Sequence, residues 1–308
     1  MTRYVIFALL FFVSSLTFGQ PVGGELISLS SRNADATTSV LQGVLFKPQG
    51  IPRGGVVLIH GSSGWTDHRE GHYGRAFSAA GYMVLAVDSF GARGVSSTAE
   101  DQSRLSTTQM TMDAFSARRY MLGLGIISER IAVMGFSKGG MVALFAADRT
   151  YLPDQKERFA VAIPFYPGCI TRPREPKPAS SMYMALGAED DYTGVKPCQD
   201  IATDFARAGG QVQVKVYPDS THGFDGNPAN LRAYRISTVE NYIDCVAEVD
   251  SEGKIIYAGK KFAQDDSSIV GEMKKSCMKK GATIWTNVTQ KKKATEDVIS
   301  YLNRVFAQ

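Results

Sequence analysis

A chain of 308 residues has room for one large α/β domain or two small ones. At 44% hydrophobic and 21% charged it reads as a globular protein with a sizeable core, not a low-complexity polymer. The net charge of +4 is local, because Lys274, Lys275, Lys279, Lys280 and Lys291 to Lys293 crowd the C-terminal part. No nucleic-acid motif accompanies them, so they read as a solvated basic face and exclude a nucleic-acid partner.

The N-terminus reads as a leader. Arg3 precedes a nearly unbroken apolar run over residues 4–13, and Thr17-Phe18-Gly19 offers a cleavage site before Gln20. That pattern predicts a secretory signal peptide over residues 1–19, with an uncleaved anchor as the alternative. Residues 20–308 then form a single exported domain, periplasmic or secreted. No later segment approaches 18 consecutive apolar residues, so no stable membrane span is expected after cleavage. The four cysteines lie in the exported part, and an even count in an oxidising compartment predicts disulfides. Order along the chain favours Cys169–Cys198 and Cys245–Cys277; the other two pairings stay open.

After a polar lead-in, residues 39–46 read as a strand and residues 47–50 as its exit. Residues 56–59, Val-Val-Leu-Ile, suit a sheet buried on both faces. They end in His60-Gly61-Ser62-Ser63-Gly64-Trp65, a glycine-rich loop at the strand edge where open α/β sheets bind ligands. The Ser62 N–H there is a candidate oxyanion donor, against a plain turn. A helix over 73–80 ends at Gly81, and a strand over 82–87 runs into Asp88-Ser89-Phe90-Gly91-Ala92-Arg93-Gly94. Residues 104–122 carry apolar groups at helical spacing, including Met112, Phe115 and Met121.

The apolar run 131–136 ends in Gly135-Phe136-Ser137-Lys138-Gly139-Gly140, and a helix follows over 141–148. Strand, sharp turn and helix are the context of a nucleophile elbow, which lifts the Ser137 hydroxyl clear and aims the Lys138 N–H at what it attacks. Further strands are expected over 159–165, 181–186 and 212–217. Alternation of strands with helices predicts a mostly parallel sheet. Beyond His222, residues 231–246 look helical and 249–260 look like a hairpin turning at Ser251-Glu252-Gly253. Residues 294–306 form an amphipathic helix with Val298, Leu302 and Val305 on one face. Asn287-Val288-Thr289 fits a glycosylation acceptor.

A serine hydroxyl needs a base within hydrogen-bond reach, and the base an orienting acid. His222 follows the last clear strand, and Gly187-Ala188-Glu189-Asp190-Asp191 supplies an acid after the strand before it. Ser137, Asp190, His222 is the chain order of an α/β-hydrolase. His60, His68 and His72 lie close in sequence, but zinc needs a third ligand and a second shell that the pattern does not supply. They read as pocket-lining, with Ser63, Trp65 and Tyr192 as walls. Arg93 reads either as a contact to an anionic substrate group or as a partner of Asp88.

The chain resembles the dienelactone hydrolase-like α/β-hydrolases over about residues 41–224. The resemblance rests on the Ser137 elbow with its doubled glycine, on Asp88-Ser89-Phe90-x-x-Arg93-Gly94, on Tyr166-Pro167-Gly168-Cys169, on Gly187-x-x-Asp190-Asp191 and on His222-Gly223-Phe224. It implies an α/β-hydrolase fold with Asp190 as the triad acid, Asp191 as a neighbour and Glu189 at the surface. It further implies hydrolysis of a small carboxylic ester or lactone without metal or organic cofactor.

Three departures stand out. Many family members carry a cysteine nucleophile where this chain has Ser137, which argues for ordinary esters over dienelactone. Gly194 replaces a frequent proline, predicting a looser loop for the acid. Residues from about 236 to 293 exceed the usual length before the last helix and read as an insertion, a lid or a partner surface. The alternatives are a peptidase or acyltransferase with the same triad, or a secreted binding protein without turnover.

Overall fold

The structure, a computed structural model, describes residues 22–307 except 34, 153 and 155. The expected leader over residues 1–19 lies outside the described residues. The strands up to the histidine loop are β1 (Glu25–Arg32), β2 (Thr38–Phe46), β3 (Gly55–Ile59), β4 (Met83–Asp88), β5 (Ile131–Phe136), β6 (Val161–Phe165), β7 (Thr171–Pro173), β8 (Ser181–Gly187) and β9 (Val212–Tyr217). All but β7 join one eight-stranded sheet in the order β1-β2-β4-β3-β5-β6-β8-β9. β2 pairs antiparallel with β1 and with β4, and every pairing from β4 to β9 is parallel.

The apolar runs explain this sheet. In β3 every residue is buried, with Val57 and Ile59 in one hydrophobic layer and Val56 and Leu58 in the other. Side chains alternate across a strand, so a sheet covered on both faces needs apolar residues at every position. Helices α2 (Thr107–Gly123), α3 (Lys138–Ala146) and α4 (Lys196–Arg207) cover the first face, through residues such as Phe115, Val142 and Phe205. Helices α1 (His72–Ala79) and α6 (Val288–Phe306) cover the second, through Tyr73, Phe77, Val298 and Leu302. This is the α/β-hydrolase architecture that the resemblance implies, with Ser137, Asp190 and His222 all just beyond C-terminal strand ends.

The expected insertion is a compact addition before the last helix. It holds β10 (Tyr234–Asn241), β11 (Ala247–Val249), β12 (Ile255–Tyr257), β13 (Lys260–Phe262), α5 (Ser268–Ser276) and β14 (Lys279–Ile284). β10 pairs with β14, while β11 pairs parallel with β7 and so fastens the insertion to the loop after β6. Beneath it lies a third hydrophobic cluster that joins Phe145 and Tyr151 to Ile255, Phe262, Ile269 and Met273. Cys245 is bonded to Cys277 across the base of the insertion, and Cys169 to Cys198 between the β6 exit and α4.

Several elements differ from expectation, among them short strands and helices α4 and α5 that no sequence pattern announces. Residues 231–246 are not a helix; their core is strand β10, whose register against β14 shifts between Ile236 and Glu240. That bulge breaks the period-two alternation, and the apolar residues then fall at spacings that mimic a helix. The polar lead-in contains β1, an edge strand with only Leu29 and Ser31 buried. The last helix starts at Val288, not residue 294, because the Asn287 side chain caps it by accepting the Gln290 N–H at 3.1 Å. The Asn287 amide also donates to the Asp219 carbonyl at 2.8 Å.

Candidate active site

Ser137 stands between β5 and α3 with φ 55° and ψ −112°, a backbone conformation that costs a residue with a side chain about 1–3 kcal/mol. The flanking glycines permit so tight a turn. A Cβ on Gly135 would lie 1.8 Å from the Gly139 carbonyl oxygen, and one on Gly139 would lie 2.1 Å from that of Ile59. The hydroxyl thereby projects toward the loop after β9. There His222 Nε2 lies 2.8 Å from Ser137 Oγ, and His222 Nδ1 lies 2.9 Å from Asp190 Oδ2. An ionised carboxylate only accepts, so the Nδ1–H donates to Asp190 and Nε2 is left to accept the serine proton.

Asp190 is almost wholly buried, which opposes its charge. The neighbouring His222 ring and the donors around it outweigh that and hold its pKa below the ordinary carboxylate value. Those donors are the N–H groups of Tyr192 and Thr193, at 2.8 and 2.9 Å, and the Thr193 hydroxyl at 2.7 Å. The loop is therefore tightly bonded and not loose. Gly194 within it has φ 73°, which a proline ring forbids. Asp191 points away, accepting from the Thr283 N–H and hydroxyl of β14, each at 2.8 Å.

The loop after β3 runs against the elbow. A Cβ on Gly61 would sit 3.0 Å from the Phe136 carbonyl oxygen and 3.3 Å from Ser137 Cβ, which puts Ser62 beside the nucleophile. Ser62 is held from three directions. Its carbonyl accepts the Thr98 N–H at 2.8 Å and the Ser97 hydroxyl at 3.1 Å, and its hydroxyl accepts from the Gln102 amide at 3.1 Å. Gln102 in turn accepts from the Lys138 ammonium at 3.1 Å, through both its side chain and its main-chain carbonyl. The side chain of one candidate oxyanion donor thus braces the other. From the insertion, Glu240 accepts the Gln102 N–H at 3.0 Å and ties β10 into the same network. Gln102 and Glu240 carry no sequence signal, because Gln102 reaches the site through a segment folded over the elbow and Glu240 through strand β10 of the insertion.

Burial drives the Lys138 pKa down to about 7, against the opposing pull of Asp101 and Glu240. Its folded value thus lies below the ordinary 10.5. Between those two pH values the unfolded chain binds more protons than the folded one, so this group makes stability rise with pH from about 7 upward, and contributes no slope below that. Urea unfolding of native protein and Lys138→Met at pH 7 and pH 9 is expected to show the difference shifting in favour of native protein at the higher pH. An equal difference at both values would contradict it.

Two expected pocket walls are corrected. Arg93 lies outside the two cavities at Ser137 and forms a two-pronged pair with Asp113 of α2 at 2.8 and 2.9 Å while also donating to Asn33 at 2.9 Å. Nor is Asp88 its partner, since that carboxylate accepts the Phe90 and Gly91 N–H groups. Trp65 packs against the core layer under α1 and α6 and lines neither of the two cavities that meet at Ser137. Ser63 lines a cavity beside His222, and Tyr192 lines that cavity and a second one on the far side of Ser137. The Tyr192 ring meets His222 edge-on at 4.7 Å, and burial raises its hydroxyl pKa to about 12.

The loop histidines do not converge. His60 is buried, with Nδ1 2.8 Å from the Gly61 carbonyl and Nε2 accepting the Ser89 N–H at 3.1 Å. His72 contacts Thr295 at 3.1 Å, its pKa lowered to about 4 by burial and then by Lys291. Among the described residues no group of three or more His, Cys, Asp or Glu side chains is arranged to hold a metal ion.

The sequence matches the dienelactone hydrolase family over residues 41–244. No curated protein matches it. Among solved structures, a thermophilic esterase from the planctomycete Thermogutta terrifontis is similar at 17% identity and TM-score 0.51, over 68% of this chain and 86% of that one. A dienelactone hydrolase-like promiscuous phosphotriesterase from metagenomic libraries is similar at 19% identity and TM-score 0.50, over 66% and 84%. At such identities the likeness is one of fold.

Proposed function

We propose that this chain, which belongs to the dienelactone hydrolase family of hydrolases, is an exported serine esterase that cleaves a small carboxylic ester or lactone through an acyl-enzyme. The observation that carries the reading is the unbroken relay from Ser137 Oγ through His222 to the buried Asp190, with contacts of 2.8 and 2.9 Å. His222 takes the Ser137 proton as Oγ attacks the ester carbonyl. The Ser62 and Lys138 N–H groups receive the developing oxyanion, an effect of about 3–4 kcal/mol per donor. As the tetrahedral centre collapses, His222 returns the proton to the leaving oxygen and the C–O bond breaks. Water, deprotonated by the same ring, then releases the acid. Carboxylic ester hydrolysis is what family membership carries; the two disulfides are compatible with an oxidising compartment.

The test pairs a p-nitrophenyl ester with the p-nitroanilide of the same acid. The reading expects ready turnover of the ester and little of the amide, whereas comparable kcat/KM for both would favour a peptidase. The acid assignment has its own test. Asp190→Asn is expected to lower kcat about 10⁴-fold by leaving the ring in the wrong tautomer. Asp191→Asn, which loosens the contacts to Thr283 of β14 and Arg235 of β10, should stay within a few-fold of native protein. Reversed effects would make Asp191 the acid.

A further inference from the structure

Two cavities meet at Ser137 and differ in chemistry. One, of about 160 Å³, is walled by Met141, Phe145 and Ile170 of the body and by Ile255, Ile269 and Met273 of the insertion. Four of these six belong to the buried cluster beneath the insertion, so the wall is packed and its apolar face is preformed. The other, of about 260 Å³, contains His222 and is mixed, presenting His68, Arg69, Asn227 and Asn230 beside Ile236, Val239, Ile284 and Trp285. Tyr192 stands between them and lines both.

The position of His222 tells the chambers apart. In acyl transfer the histidine hands its proton to the departing oxygen, so the alcohol leaves on the histidine's side and the acyl group lies opposite. His222 lines the more polar, mixed chamber and not the apolar one. We therefore infer that the substrate is an ester joining an apolar acyl chain to a hydroxylated alcohol, with the acyl chain held by the insertion. This rests on the serine-esterase reading above. The chain's additional segment then serves substrate selection: β12 and α5 supply one side of the acyl chamber, and the Cys245–Cys277 bond and the β11–β7 ladder hold that side in place. On the opposite side, Arg69 is already paired with Asp225 at 3.4 Å, so the chamber offers hydrogen-bonding groups with its positive charge balanced. Hydroxyls suit such a lining better than a carboxylate.

The experiment measures kcat/KM for p-nitrophenyl esters from acetate to octanoate, then compares the glyceryl and butyl esters of octanoic acid. Each methylene buried in the chamber is worth about 0.8 kcal/mol, or about fourfold, so kcat/KM is expected to climb steeply with chain length until the chamber is full. The glyceryl ester should be preferred over the butyl ester. Val270→Phe, at a half-buried position on the chamber wall, should cut the octanoate-to-acetate ratio at least tenfold; Met273→Phe is the second variant should the first not fold. A flat or falling chain-length profile, or preference for the butyl ester, with acetate still turned over, would overturn this inference and leave the serine-esterase reading intact. Absence of turnover for every ester, with no fluorophosphonate labelling, would overturn both.

Discussion

Ser137→Ala is expected to lower kcat for ester hydrolysis by about a millionfold while the protein stays folded. On the proposed mechanism, deleting the hydroxyl removes the atom that would form the acyl-enzyme, leaving only the oxyanion donors and substrate binding, which alone supply about 10³–10⁴-fold over water. KM should change little, since the hydroxyl contributes little to ground-state binding. Stability should stay near that of native protein, because alanine meets the same backbone restriction at φ 55° and loses only the contact to His222. His222→Ala should cost about as much, and the double variant no more than either, because the groups act as one unit. Steady-state kinetics beside a denaturation curve for each variant checks this. Residual kcat within a hundredfold of native for folded Ser137→Ala would place the nucleophile elsewhere.

The largest effect on folding is expected from Gly135→Ala. The added Cβ would lie 1.8 Å from the Gly139 carbonyl oxygen and 2.2 Å from its carbon, both main-chain atoms that no rotamer change can clear. Either β5 or the first turn of α3 must move, and β5 is bonded to strands on both sides in the middle of the sheet. Losses above about 4–5 kcal/mol belong to such backbone clashes and cavities, not to ordinary surface changes. Gly135→Ala should therefore be recovered mostly unfolded, and any folded fraction should be inactive because the elbow no longer aims Ser137. Gly94 offers the contrast: its Cβ would meet nothing within 4 Å, and only its φ of 64° resists alanine. Urea denaturation of both variants separates the two costs. Native-like stability of Gly135→Ala would contradict the account of the elbow.

What the sequence makes legible follows from how local each signal is. The buried strands announce themselves because a sheet covered on both faces admits only apolar runs, as at residues 56–59 and 131–136. Ser137 and the strand-end positions of Asp190 and His222 are legible because the chemistry fixes residue type, spacing and order together. Arg93 is the instructive failure. Beside it in sequence stands Asp88, but the carboxylate that takes its guanidinium is Asp113, brought near by the packing of α2. Strand β10 is hidden by its bulge, and α4 and α5 lie outside the predicted elements. The brace from Lys138 through Gln102 to Ser62 is invisible because it depends on a loop folding back over the elbow. The insertion is legible as extra length, but its apolar face beside Ser137 emerges only when β12 and α5 are placed in space.

The central claim is that Ser137 is an activated nucleophile. Its most direct test is to treat the protein with a fluorophosphonate and map the adduct by peptide mass spectrometry. The account predicts rapid modification of one residue, Ser137, with loss of esterase activity in step, and slow modification in His222→Ala. A folded protein that hydrolyses esters but carries no adduct on Ser137, or whose adduct lies on another serine, would contradict it.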